Sequence, residues 1–160
     1  MHSQSQTKTL LFIGTYTNEV PANGIFIYEF DEGDGSLKKL GQGDQIINPS
    51  YLSISPNGKY LYACTETRTP FEGSISSFKI DSFKGEIEPI NQKASGGANP
   101  VYLDIHQSGK YLVNANYTGG SVSLFEINED GSLNDSKYIF QFKDSSINKS
   151  RQESSHIHSA

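Results

Sequence analysis

Residues 99–133 read NPVYLDIHQSGKYLVNANYTGGSVSLFEINEDGSL, and the chain has already written a version of this line once. Residues 48–87 read NPSYLSISPNGKYLYACTETRTPFEGSISSFKIDSFKGEI. Asn48 answers Asn99, Gly58 answers Gly109, and Lys59-Tyr60-Leu61 answers Lys110-Tyr111-Leu112, each 51 positions on. A partial earlier copy, residues 9–37, reads TLLFIGTYTNEVPANGIFIYEFDEGDGSL. Its Tyr16-Thr17 answers Glu66-Thr67 and then Tyr117-Thr118. Gly35-Ser36-Leu37 answers Gly85-Glu86-Ile87 and Gly131-Ser132-Leu133. Self-similarity at a fixed spacing of about 50 residues marks a repeat architecture and outranks any local reading.

Within each copy the punctuation is that of short strands. In the second copy, Ser50–Ser55, Lys59–Thr65, Ser74–Ile80 and Glu86–Lys93 are runs of β-formers separated by Gly-bearing turns. The third copy repeats them as Val101–His106, Lys110–Asn116, Ser121–Ile127 and Ser136–Phe142. The first copy supplies Leu10–Tyr16, Gly24–Phe30 and Leu37–Ile46 and lacks the inner strand. Asp31-Glu32-Gly33-Asp34-Gly35 resembles a calcium loop only in composition; without the spacing and closing Glu of such loops it reads as a hairpin turn. No segment keeps a helical period over ten residues.

Four antiparallel strands per unit is the blade of a β-propeller, with a solenoid of hairpins as the alternative. The fold class is therefore all-β, with blades over 9–47, 48–98 and 99–150 and the opening of a fourth at 151–160. Residues 1–8 read as a disordered lead-in. Propellers carry about 4–8 blades, so the chain is expected to supply only part of one, with further blades needed for closure. Alone, it is expected to expose a blade face and free strand edges and to aggregate or stay loosely structured.

Composition narrows the function. Hydrophobic residues make up 34% of the chain, but nine Tyr and nine Phe supply large side chains for a core. The net charge of -5 is spread without a basic stripe, which argues against nucleic acid. No apolar run approaches the length of a membrane span, and the first residues lack a secretory h-region. The single cysteine, Cys64, lies in a strand pattern and reads as a buried thiol. A reducing, cytoplasmic setting follows, with a monomer or weak dimer as the expected state.

Strand polarity sorts the loops. The entry to strand one, the two-to-three connection and the exit of strand four share one face. The short turns Asn57-Gly58, Ser108-Gly109, Asp34-Gly35, Lys84-Gly85 and Asp130-Gly131 share the other. The first face collects Tyr16, Thr17, Asn18, Glu66, Thr67, Arg68, Asn116, Tyr117 and Thr118. It also collects Asn48, Asn99, the loop Arg151-Gln152-Glu153, and His156 and His158. By register His156 falls where Asn48 and Asn99 fell. Two imidazoles, a guanidinium and several amides in one funnel suit a polar or anionic small molecule. Each also has a plainer reading. Asn48 and Asn99 suit backbone hydrogen bonding, Tyr16 and Tyr117 suit rim packing, and Arg68 beside Pro70 suits a solvated loop. His156-Ile157-His158 lacks a third ligand for zinc, since neither His2 nor His106 is placed to help. No metal or cofactor is expected.

The combination of GTYT, NPSYLSISPNGKYLY, NANYTGGSVSLFEINEDGSL and RQESSHIHSA, spanning nearly the whole chain from Leu10, resembles the lactonase family of seven-bladed propellers. That family includes a bacterial type of 6-phosphogluconolactonase and fungal 3-carboxy-cis,cis-muconate lactonising enzymes. The resemblance implies seven blades, of which this chain supplies about three. It also implies site roles for Arg151, His156 and His158, which match the family's Arg-Gln…His-x-His motif. The activity it implies is hydrolysis of a sugar lactone such as 6-phosphoglucono-δ-lactone. Either histidine would handle the proton, Arg151 would hold an anionic group, and Asn116, Tyr117, Tyr16, Asn99 and Glu66 would contact substrate. A muconate-type cyclase would use the same residues. A non-catalytic binding scaffold is the third reading, disfavoured by the polarity of the loops.

Overall fold

The computed structural model describes residues 9–18, 20–43, 45–67 and 72–160. The lead-in with His2, and Arg68 with Pro70, lie outside them. Among the described residues eleven strands form three antiparallel sheets. The first holds β1 (Thr9–Gly14), β2 (Ile25–Phe30) and β3 (Leu37–Gly43). The second holds β4 (Pro49–Ile54), β5 (Tyr60–Thr65), β6 (Glu72–Asp81) and β7 (Glu86–Ala98) in chain order. The third repeats that order with β8 (Pro100–Ile105), β9 (Tyr111–Asn116), β10 (Ser121–Glu126) and β11 (Tyr138–Gln141). The propeller pattern thus forms as the repeat requires, and β1 takes the place of β5 and β9 in a sheet that, among the described residues, has no inner strand. The strand reading fell short at β7, which runs to Ala98 instead of ending at Lys93. The Gly96-Gly97 pair there looks like a turn, yet the strand passes through it with Gly96 at φ +75°.

The repeat extends to irregularities. β4 and β8 shift register against their partners just after Pro49 and Pro100, the same point in each copy. Asn48 and Asn99, immediately before, both take the left-handed conformation, at φ +39° and +60°. Asn tolerates this region better than other side-chain-bearing residues because its short amide can bond locally. Residues 31–36 close the β2–β3 hairpin, with the Asp31 and Asp34 carboxylates accepting from the Gly33 and Ser36 N–H groups.

The core lies between sheets. Successive side chains of a strand point to opposite faces, and β5 is buried on both. Leu61 and Ala63 pack with Ile25, Ile46 and Phe78 against the first sheet. Tyr62 and Cys64 pack with Ile75, Leu103, Leu112, Phe125 and Leu133 against the third. Each such large apolar side chain stabilises the fold by roughly 1.5–3 kcal/mol through burial. The polar tip of Tyr62 is satisfied by donating to the Gly131 carbonyl at 3.0 Å. By contrast β1 alternates between exposed and half-buried positions, with Leu11 and Ile13 outward. Among the described residues it pairs with β2 alone.

Candidate functional site

Three blade junctions on the loop face carry the site. At the first, Asn48 is 1% exposed. Its Oδ1 accepts from the Thr17 N–H at 2.7 Å, its N–H donates to Thr17 Oγ1 at 3.1 Å, and its Nδ2 donates to the Glu66 carbonyl at 3.0 Å. The Glu66 N–H in turn donates to the Asn48 carbonyl. One buried amide therefore ties the β1–β2 loop, the entry to β4 and the exit of β5 together. Here the plainer reading of Asn48 describes what it does.

The second junction has the same layout with fewer bonds. Asn99 accepts the Tyr117 N–H on its carbonyl at 2.8 Å, matching Asn48 and Glu66. Its Oδ1 is buried without a hydrogen-bond partner, as is Oγ1 of Thr67, the counterpart of Thr17. Glu66 itself is half-buried, and Tyr16 is 57% exposed.

At the third junction an imidazole replaces the amide. His156 lies in an irregular segment, and its Nδ1 sits 3.2 Å from the Tyr117 carbonyl oxygen. A carbonyl only accepts, so this contact is a hydrogen bond in the form with the proton on Nδ1. Nε2 lies 3.4 Å from Glu153 Oε1. The His156 ring stacks on Tyr117 at 4.6 Å and 15°, and His158 meets the same ring edge-on at 5.6 Å and 87°. The two histidines thus converge on Tyr117. His158 is exposed, whereas the His156 side chain keeps 16% of its surface.

Other expected members stand apart. Arg151 is exposed in a turn closed by its N–H on the Asn148 carbonyl. No hydrogen bond or ion pair joins it to either histidine among the described residues. Asn116, expected to contact substrate, is held inside the blade. It is 0% exposed at the end of β9. Its Nδ2 donates to Ser121 Oγ at 3.0 Å and the Ser95 carbonyl at 3.3 Å, while its Oδ1 accepts from Asn114. The position one residue short of the loop turns its side chain into the blade. Cys64 is buried, and burial pushes its thiol from 9.0 up to about 11, so it is neutral and inert at ordinary pH. Among the described residues no cluster of His, Cys, Asp and Glu is arranged to hold a metal ion.

Glu153 was legible only as a loop residue; its approach to His156 comes from the turn at Asn148–Arg151 and could not be read from spacing. The turn Tyr117–Gly120 carried a signal in its paired glycines. Gly120 has φ +60°, and a Cβ there would sit 2.6 Å from the Ser155 carbonyl oxygen. The chain leading to His156 passes directly over it.

Residues 10–160 match the model of the family described as lactonase, 7-bladed beta-propeller, and the chain belongs to that family. The chain is 41% identical over 150 residues to the 6-phosphogluconolactonase of Formosa agariphila, covering 94% of this chain and 42% of that protein. The crystal structure of a candidate 6-phosphogluconolactonase from Bacteroides fragilis superposes with a TM-score of 0.86 at 34% identity, over 98% of this chain and 42% of that one. The periplasmic gluconolactonase of Pseudomonas aeruginosa superposes with a TM-score of 0.82 at 31% identity, over 95% and 43%. The chain therefore spans about two fifths of the length of the relatives it matches. No helix among the described residues is long and apolar enough to cross a membrane.

Proposed function

We propose that this chain provides about three blades and part of the active site of a lactonase that hydrolyses a sugar lactone, with 6-phosphoglucono-δ-lactone the first substrate to test. Family membership supports the reaction class. The observation that carries the assignment of chemistry is the contact between His156 Nδ1 and the Tyr117 carbonyl; in this reading the proton sits on Nδ1, and Nε2, beside the Glu153 carboxylate, is the base. In this reading Nε2 removes a proton from water as the water oxygen attacks the lactone carbonyl. The tetrahedral intermediate then collapses, the ring C–O bond breaks, and the departing oxygen takes a proton from an imidazolium, at His156 or His158. The product is the open-chain acid. Arg151 would hold the phosphate or carboxylate of the substrate through its forked donors. Tyr16 and Glu66 would meet sugar hydroxyls from the neighbouring junctions.

The full seven-bladed protein is the object to test. His156→Gln is expected to lower kcat by about 10²–10⁴-fold, the usual contribution of a general base. His158→Gln is expected to have a smaller effect, and Arg151→Met to raise KM for the phosphorylated lactone more than for its unphosphorylated counterpart. Undiminished hydrolysis by a folded double histidine variant would remove both residues from the mechanism. Assaying a carboxymuconate beside the lactone separates hydrolase from cyclase. A cytoplasmic setting goes with the sugar-phosphate reading and with a single buried thiol; cell fractionation checks it against the periplasmic location of the Pseudomonas relative.

A further inference from the structure

The second element of the site is the turn beneath the histidines. His156 does not rest in a strand or in the left-handed conformation that Asn48 and Asn99 use. Something else must fix its ring. Three observations converge on residues 117–120. The Tyr117 carbonyl faces Nδ1 of His156, the Tyr117 ring lies nearly parallel to the imidazole, and the edge of His158 abuts the same ring. The turn is itself anchored from below. The Tyr117 N–H is held by the Asn99 carbonyl and the Gly119 N–H by the Ala98 carbonyl. The Phe142 N–H and Gln141 Nε2 both donate to the Gly120 carbonyl, at 2.9 and 3.1 Å. The chain approaching His156 is fastened too, by reciprocal bonds between Ser155 Oγ and the Asp144 backbone.

We propose that Tyr117 is a positioning residue that selects the tautomer of His156. Its carbonyl places the proton on Nδ1, its ring holds the imidazole plane against that carbonyl, and Gly120 gives the approaching chain room to reach it. This differs from the expectation that Tyr117 contacts substrate. It rests on the reading of His156 as the base. An imidazole free to rotate distributes its proton between the two nitrogens, whereas a stacked ring facing a fixed acceptor keeps one of them basic. Orientation of this kind is worth much of a catalytic base's effect, because small misplacements are costly.

The test uses proton–nitrogen long-range correlation spectra of histidine-labelled full-length protein, with kinetics alongside. Wild-type His156 is expected to carry its proton on Nδ1. Tyr117→Phe keeps the aromatic face and is expected to give the wild-type tautomer. Tyr117→Leu keeps bulk without that face, and the Nε2–H form should grow. Gly120→Ala, which pushes on Ser155 from the other side, should give the same spectral change should the leucine variant fold poorly. With the lactone, Tyr117→Leu is expected to lower kcat on the order of 100-fold, with KM moving much less. A wild-type proton on Nε2, or a leucine variant with the tautomer unchanged, overturns the proposal. A KM rise in Tyr117→Phe with kcat intact also overturns it and returns the hydroxyl to the substrate. If the tautomer behaves as expected while His156→Gln still hydrolyses lactone at the wild-type rate, the clamp stands and the lactonase role of His156 falls.

Discussion

Asn48 makes more of its side chain than any exposed candidate does. It serves Thr17 with its oxygen and Glu66 with its nitrogen, and it holds φ at +39°. Asn48→Ala leaves a buried N–H and carbonyl unpaired and places a Cβ-bearing residue without local compensation in the left-handed region. The expected loss is about 2–4 kcal/mol, read as a lower denaturant midpoint. Cys64 gives a pH-dependent counterpart. Its folded thiol ionises near 11 against an ordinary 9.0. The unfolded chain therefore releases this proton first, and between those values the folded state binds more protons. Stability is fully present below 9.0 and falls as pH rises through about 11. Burial raises the Tyr62 phenol and acts in the same direction at higher pH. The midpoint should decline across that window, less steeply in Cys64→Ala, and native Cys64 should resist alkylation until the chain unfolds.

At the scale of elements, a glycine and a proline lock adjacent sheets. A Cβ on Gly24 would meet Pro49 at 2.7 Å, and one on Gly73, the matching position in the next copy, would meet Pro100 at 2.1 Å. The incoming inner strand lays its proline ring on the bare backbone of the preceding blade. Gly73→Ala is expected to cost about 3 kcal/mol through overpacking. Gly58→Ala, at φ +70° with nothing within 4 Å, should cost about 1 kcal/mol from backbone strain alone. Thermal unfolding of the two variants measures the difference. These locks explain how much of the fold could be read in advance. The strands were visible because turn glycines and β-formers recur at one spacing, and the loop face followed from strand polarity. What escaped was orientation within a few degrees of backbone. Asn116 and Tyr117 are adjacent, yet one side chain enters the blade and the other faces the histidines. No composition rule separates them, because the last residue of a strand and the first of a turn differ only in where the pleat ends. Glu153 met His156 through an irregular turn that leaves no periodic trace.

Considered whole, the chain is buried in its middle and open at both flanks. The outer strand of the third sheet exposes Tyr138 at 53%, Ile139 at 50% and Phe140 at 56%, with Phe142 beyond it at 46%. At the other flank β1 leaves one strand edge without a partner among the described residues. Patches of this kind drive association. The 160-residue chain by itself is expected to sediment as concentration-dependent oligomers, and Phe140→Lys to shift it toward monomer with little change in strand content by circular dichroism. Steady monomer at all concentrations would argue that these faces are harmless. The three junctions also bear on how such a molecule changes occupation. The first is shut by the side-chain amide of Asn48, the second carries the amide of Asn99 at the matching place, and the third an imidazole that reaches the same loop of the preceding blade. A single exchange at one hinge pin can therefore re-equip the mouth of the propeller without loosening the machine, and Asn99→His is the graft to try first.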